Sequence, residues 1–315
     1  MKEYMKKVQD VDSFVNGLIS EIEKMDRLHS KKIRSNISYL REHFKSDFNE
    51  LAGLINQYFI SMDLSIIHVV YDYLKMIKDM RIEGLYFYRF GKYRCANQGD
   101  AYNYVYSKPE IMSYYMNALL ISQILWKHHF SVFVFFKHTL AKLVHFKSDV
   151  SILDVGPGHG FFSYLVKKEF PDYVNIDIVD ISETSLQMTN RIIGEDEGRI
   201  RYMRKDILNF EELKKYDIIL IGEVIEHLDA PKAILEKLAS LLKPDGHLWL
   251  TTPTNAPAID HVYLFGSRND VFEIVKESGL EIVEWCSYFA EDVDEITAKK
   301  NKITELIGIF SKKIN

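Results

Sequence analysis

The chain has 315 residues, of which 47% are hydrophobic and 27% charged, with a formal net charge of −5. That length suits one large or two ordinary domains with a sizeable core, and the balance is that of a soluble globular protein. Residues 1–150 carry a net +5 and residues 151–315 a net −10, so the second half repels a nucleic-acid polyanion and small molecules are the expected partners.

The start, MKEYMKKVQDVDSF, is charged and polar, unlike a secretory signal. Three helical stripes follow. Val11, Phe14, Val15, Leu18, Ile19, Ile22 and Met25 form one; Ile37, Leu40, Phe44, Phe48, Leu51, Ile55 and Phe59 the next; Ile66, Ile67, Val70, Leu74 and Ile77 the third. Residues 84–106 break the pattern with Gly84, Gly91, Gly99 and many tyrosines. "SKPE" then restarts a helix, with Ser107 expected to cap the amide of Glu110. Two apolar helices are expected over 109–146. Lys127, His128, His129 and Lys137 interrupt them, so no segment there reaches membrane-spanning length and no membrane partner is expected. Cys95 and Cys286 give neither a disulfide framework nor metal spacing and read as reduced core thiols, which places the chain in the cytoplasm.

From Val150 short apolar runs alternate with amphipathic helices. Strands are predicted at 150–155, 174–180, 200–205, 216–222 and 247–252, and helices at about 160–170, 182–193, 231–242 and 269–278. "KPDG" at 243–246 reads as the turn into the fifth strand. The tail adds a strand candidate at 280–288 and, at 304–312, a segment that fits strand and helix equally. Continuous apolar strands between helices imply a mostly parallel sheet covered on both faces. The expected architecture is therefore α/β, a Rossmann-like sheet domain over 148–315 behind an all-α domain over 1–147.

The loop "ILDVGPGHGFF" at 152–162 sets Gly156, Gly158 and Gly160 directly behind the first strand, at the start of a helix. Glycines let a ligand approach the main chain without meeting a Cβ atom, and the helix N-terminus offers free N–H groups. Asp180 ends the second strand, at the distance where a carboxylate meets ribose hydroxyls in nucleotide-binding βαβ units. Asp177 competes for that role but lies mid-strand. Asp206 closes the third strand, where it can accept from an adenine amino group.

These segments, with "VDIS" at 179–182, "KDIL" at 205–208, "YDIILIGEVIEHL" at 216–228 and "LLKPDGHLWLTTP" at 241–253, resemble the successive motifs of class I S-adenosylmethionine-dependent methyltransferases. The resemblance covers roughly 150–315. It implies seven strands, the last antiparallel, with S-adenosylmethionine across the carboxyl ends of the first strands. It also implies roles: Asp154 and the glycine loop for the methionine part, Asp180 for the ribose, Asp206 for the adenine, and Ile181 and Ile207 flanking the ring.

In "EVIEHL", Glu223, Glu226 and His227 stand at i, i+3 and i+4 and would share a face on a helical turn. Similar E-x-x-E-H motifs hold a metal in small-RNA 2′-O-methyltransferases and in O-methyltransferases of ubiquinone biosynthesis, and hold none in many other class I enzymes. The motif shows fewer than four donors, so a divalent metal on Glu223, Glu226, His227 and His261 is the less favoured reading. Glu226, His227 and His261 are instead the candidate proton acceptors, with Glu223 beside the cofactor. His159, in the glycine loop, is expected to face the neighbouring helix. In the tyrosine belt (Tyr86, Tyr88, Tyr93, Tyr102, Tyr104, Tyr106, Tyr114, Tyr115), Tyr106 and Tyr114 are the candidates to reach cofactor or acceptor from a helical lid.

The expected function is methyl transfer to oxygen, nitrogen or carbon of a small molecule, in secondary or specialised metabolism. An intramolecular cyclase acting on S-adenosylmethionine and a non-catalytic S-adenosylmethionine-binding protein are the alternatives; RNA 2′-O-methylation is disfavoured by charge. The number of amphipathic helices in 1–145 suggests a homodimer.

Overall fold

The computed structural model describes residues 10–143, 149–170, 174–194, 198–211 and 214–314. The expected domain boundary at 147/148 and the end of the 109–146 helical region lie outside them. The amino-terminal part is helical: α1 (Val11–Met25), α2 (Arg27–His43), α3 (Lys45–Ser61), α4 (Ile66–Phe90), the short α5 (Gln98–Ala101), a π-helical turn at Tyr102–Tyr106, α6 (Pro109–Leu125) and α7 (Lys127–Leu143). The remainder alternates: β1 (Val150–Val155), α8 (Phe161–Glu169), β2 (Val174–Asp180), α9 (Glu183–Ile193), β3 (Ile200–Arg204), β4 (Tyr216–Gly222), α10 (Pro231–Leu241), β5 (Leu242–Thr254), α11 (Arg268–Glu277), β6 (Leu280–Phe289), α12 (Glu295–Lys300) and β7 (Glu305–Lys313).

The seven strands form one sheet in the order β3-β2-β1-β4-β5-β7-β6, parallel except for β7, which runs antiparallel to both neighbours. The reversal of winding between β1 and β4 leaves a crevice at the carboxyl ends of these strands. The pleat sends alternate side chains to opposite faces. Ile152, Ile176, Ile218, Leu220 and Trp249 join the core shared with α1–α4 and α6–α9, whereas Leu153, Val155, Ile219, Ile221, Leu248 and Leu250 pack with α10 and α11. The ring of Phe136 on α7 stacks on Phe310 at 5.6 Å and meets Trp249 at 5.0 Å, so the helical part sits directly on the sheet. Much of the apolar surface that suggested a dimer is covered in this way. Among the described residues no single helix is long and apolar enough to cross a membrane.

Four local expectations change and one open reading is resolved. The second stripe is two helices, because the chain leaves helical geometry at Phe44 (φ −137°, ψ 39°). Helix α4 runs through Gly84 and stops only at Gly91 (φ +66°), where the left-handed conformation favours glycine. Gly84 faces Pro257, whose Cγ would lie 3.9 Å from an added Cβ, so a close tertiary approach replaces the expected break. Ser107 does not cap α6; the π-helical turn before it directs its hydroxyl to the Asn103 carbonyl. "KPDG" is a bulge inside β5, since Leu242 already pairs with Tyr216 before His247 resumes the ladder at Ile218. The ambiguous tail is a strand because it inserts between β5 and β6.

Candidate functional site

A cavity of about 230 Å³ opens at the carboxyl ends of β1, β2, β4 and β5 under α6 and the Tyr102–Tyr106 turn. The three glycines of the first loop all have positive φ (+62°, +57° and +76°), but their surroundings differ. A Cβ on Gly156 would come within 2.5 Å of Val224 Cγ2, and one on Gly160 within 2.7 Å of Thr189 Cγ2. Those two glycines serve the packing of the protein itself. At Gly158 the nearest heavy atom would be Met116 Cε at 4.0 Å, so this position alone leaves room beside the backbone.

Asp154 and Asp180 line the cavity at the ends of β1 and β2. Asp154 accepts from Ser163 Oγ at 2.6 Å, and Asp180 from the Ser182 amide at 2.7 Å. Burial pushes both carboxyls up to about 7, and the charge of Asp180 adds to the effect at Asp154. Asp206 accepts from the Leu208 amide at 2.9 Å and lines the same cavity with Ile181 and Ile207. Asp177 is excluded from this group. Burial alone would raise its carboxyl, but hydrogen bonds from Arg201, Tyr216 and Lys214 hold it below the usual carboxylate range.

The other end of the cavity collects the "EVIEHL" residues by an unexpected route. Only Ile225–His227 form a helical turn, while Glu223 precedes it in the left-handed region (φ +55°), a strained conformation for a residue with a Cβ. Glu226 is 1% exposed; its Oε2 accepts from Thr252 Oγ1 at 2.9 Å and its Oε1 has no hydrogen-bond partner. Burial raises the carboxyls of Glu223 and Glu226, and each charge would make the other costlier. His227 Nδ1 meets the Asp260 carbonyl at 3.0 Å, which assigns the proton to Nδ1 and the lone pair to Nε2. His261 is neutral, pushed down to about 4 by burial and the neighbouring His227. One donor atom each from Glu226, His227 and His261 lies within 4.8 Å of the others; Glu223 is outside that trio, so the four-residue metal set does not assemble as a unit. Tyr106 and Tyr115 both donate to the Asp260 carboxylate, at 3.0 and 3.2 Å, closing the cavity from the helical side.

Residues 126–291 match the family model described as "Methyltransferase domain". The chain belongs to that methyltransferase family. Its sheet order and glycine loop are those of the class I S-adenosylmethionine-dependent members. A malonyl-[acyl-carrier protein] O-methyltransferase from Ilyobacter polytropus is 32% identical over 120 residues, covering 37% of this chain and 46% of that protein. A ubiquinone biosynthesis O-methyltransferase from Leptothrix cholodnii is 24% identical over 147 residues, covering 44% and 62%. The chain thus spans about half the length of the curated relatives it matches. Among solved structures, an N-methyltransferase from Bradyrhizobium japonicum in complex with S-adenosyl-L-homocysteine aligns with TM-score 0.44 at 17% identity, over 58% of this chain and 86% of that one.

The residues of this chain fit an S-adenosylmethionine ligand: a cradle at Gly158 that a Cβ would fill, carboxylates at the ends of β2 and β3, and isoleucines beside them. One expected residue is placed elsewhere. Tyr114 lies outside the cavity lining, because its hydroxyl donates to Asp79 at 2.6 Å and Lys75 covers its ring. His159 meets the neighbouring helix as expected, with its ring on Phe161 of α8 at 4.3 Å, and also lines the cavity. Sequence reasoning missed Asp260, Tyr115, Met116 and Thr251. Tyr115 was visible in the tyrosine belt, but no sequence spacing pairs it with Asp260, 145 residues away.

Proposed function

We propose that this methyltransferase moves the methyl group of S-adenosylmethionine to a small-molecule acceptor held between the strand ends and the helical layer. One observation carries the reading: of the three left-handed glycines in the loop after β1, only Gly158 has its missing side chain replaced by cavity rather than by protein. Bound there, S-adenosylmethionine supplies an electrophilic methyl group on a positively charged sulfur. The chain's own residues then position and exclude. The Asp180 carboxylate accepts from the ribose hydroxyls, Asp206 accepts from the adenine amino group, and Ile181 and Ile207 cover the ring faces. Asp154 and the Gly156–Gly160 loop take the methionine end. Transfer from a sulfonium needs alignment above all, since the leaving group is good.

Where the acceptor must lose a proton, His227 Nε2 is the group arranged to take it. Its other nitrogen is anchored on the Asp260 carbonyl, and its ring is set edge-on to Tyr106 at 6.1 Å and to His261 at 4.8 Å. Glu226 lies behind, 3.7 Å from Nε2. We assign residues 1–147 to covering the site and choosing the acceptor, and 148–315 to holding the cofactor. Helix α4 keeps Ile67, Tyr71, Leu85 and Tyr88 exposed, and this face is the remaining reason to expect a homodimer. Light scattering at micromolar concentration decides that point.

Incubation with S-adenosylmethionine, alone and with candidate acceptors, tests the reaction. Acceptor-dependent S-adenosylhomocysteine is expected. Methylthioadenosine formed without any acceptor would replace transfer by intramolecular cyclisation.

A further inference from the structure

The charge and the vacant hydrogen-bond positions of the acceptor end define what enters it. Among the described residues lining the cavity, Asp154, Asp180, Asp206, Glu223 and Asp260 are acidic and Lys205 is the one lysine or arginine. Lys205 neighbours Asp206 at the end assigned to adenine. The acceptor end therefore has Glu223 and Asp260 with no lysine or arginine beside them. Tyr106 and Tyr115, aromatic residues of a kind that attracts cations, are among its lining.

Three buried atoms at this end have no hydrogen-bond partner: Glu223 Oε1, Glu226 Oε1 and His261 Nδ1. His261 is a neutral imidazole, with one ring nitrogen a donor and the other an acceptor. When ionised, Glu223 presents Oε1 to the cavity as an acceptor that no donor meets, while burial and the Glu223 charge push the Glu226 carboxyl behind it toward its neutral form. An anionic acceptor would meet carboxylates with no counter-charge. A hydroxyl has one proton to offer. A protonated amine brings several N–H donors and the complementary charge.

From this juxtaposition of an unpartnered Glu223 oxygen, a second carboxylate at Asp260 and phenol rings, with no lysine or arginine beside them, we infer that the acceptor is an aliphatic amine that enters as its ammonium form. The inference rests on the methyl-transfer reading. The ammonium gives one proton to His227 Nε2; the freed nitrogen lone pair forms the bond to the methyl carbon as the carbon–sulfur bond breaks, its electrons passing to sulfur.

Calorimetry in EDTA, with protein saturated in S-adenosylhomocysteine, tests this with three probes of one carbon frame: 2-phenylethylamine, 2-phenylethanol and phenylacetate. The amine is expected to bind at least tenfold tighter than the alcohol, and phenylacetate weakest. Glu223→Gln is expected to reduce that preference at least fivefold, and Asp260→Asn provides a second variant should the first not fold. Equal binding of amine and phenylacetate, an unchanged preference in both variants, or no binding of any probe overturns the inference. Titration of S-adenosylhomocysteine alone reports separately on the methyltransferase reading, since its failure to bind would sink both.

Discussion

Replacing Asp180 with asparagine moves stability and cofactor affinity in opposite directions. Burial holds this carboxyl near 7 instead of 3.8. Between those values the folded protein keeps a proton that the unfolded chain has lost, so stability falls as pH rises through the window and levels off above 7. A displacement of that size corresponds to about 4 kcal/mol. Access of water to the cleft reduces it to about 2 kcal/mol. Asparagine carries no charge to desolvate and keeps an oxygen for the Ser182 amide. Ligand-free Asp180→Asn is therefore expected to be about 2 kcal/mol more stable than the parent at pH 8.5, with the difference shrinking toward zero at pH 4. Loss of a charged acceptor for two ribose hydroxyls removes about 1.5–3 kcal/mol of binding, roughly 10- to 150-fold in affinity. Urea unfolding at the two pH values measures the first effect, and calorimetry with S-adenosylhomocysteine the second. A variant that is less stable at pH 8.5, or that binds with unchanged affinity, would refute the assignment of Asp180.

The glycines separate by the same pair of assays. Gly158→Val carries the strain of a left-handed φ without a clash and is expected to lose cofactor binding, whereas Gly156→Ala adds to that kind of strain a Cβ 2.5 Å from Val224 and is expected to lose stability by about 1–3 kcal/mol. Asp177→Asn is expected to leave cofactor affinity unchanged and to cost about 1–3 kcal/mol, because the Arg201 and Lys214 charges lose their shared partner. Since the Asp177 carboxyl is held low, its contribution is present above pH 3.8 and fades as pH falls through the folded value; cofactor binding weakened tenfold by this variant would return Asp177 to the site. If the Tyr106 and Tyr115 bonds to Asp260 close over a bound cofactor, S-adenosylhomocysteine should slow amide exchange between Gly84 and Tyr115. Identical exchange with and without it would make the helical layer a fixed wall.

The sequence by itself determined the alternation of strands and helices in the second half, the left-handed glycine loop behind β1 and the carboxylates at the ends of β2 and β3. These follow from short-range causes: apolar periodicity, backbone conformations that glycine tolerates, and the position of a residue at a strand end. Tertiary structure decided what depends on a distant partner. Which glycine of the loop has open space beside it was settled by Val224 and Thr189, which fill the space at Gly156 and Gly160. The choice between Asp177 and Asp180 rested on Arg201, directly opposite Asp177 on β3, and Tyr216 on β4. Tyr114 and Tyr115 are adjacent in sequence, yet helical geometry turns one to Asp79 on α4 and the other to Asp260 beyond β5. The tail is a strand because two neighbours offer it hydrogen bonds, one on each side. Such contacts join residues from about 20 to 150 positions apart, and no local pattern encodes them because the side chains meet only after the sheet has assembled.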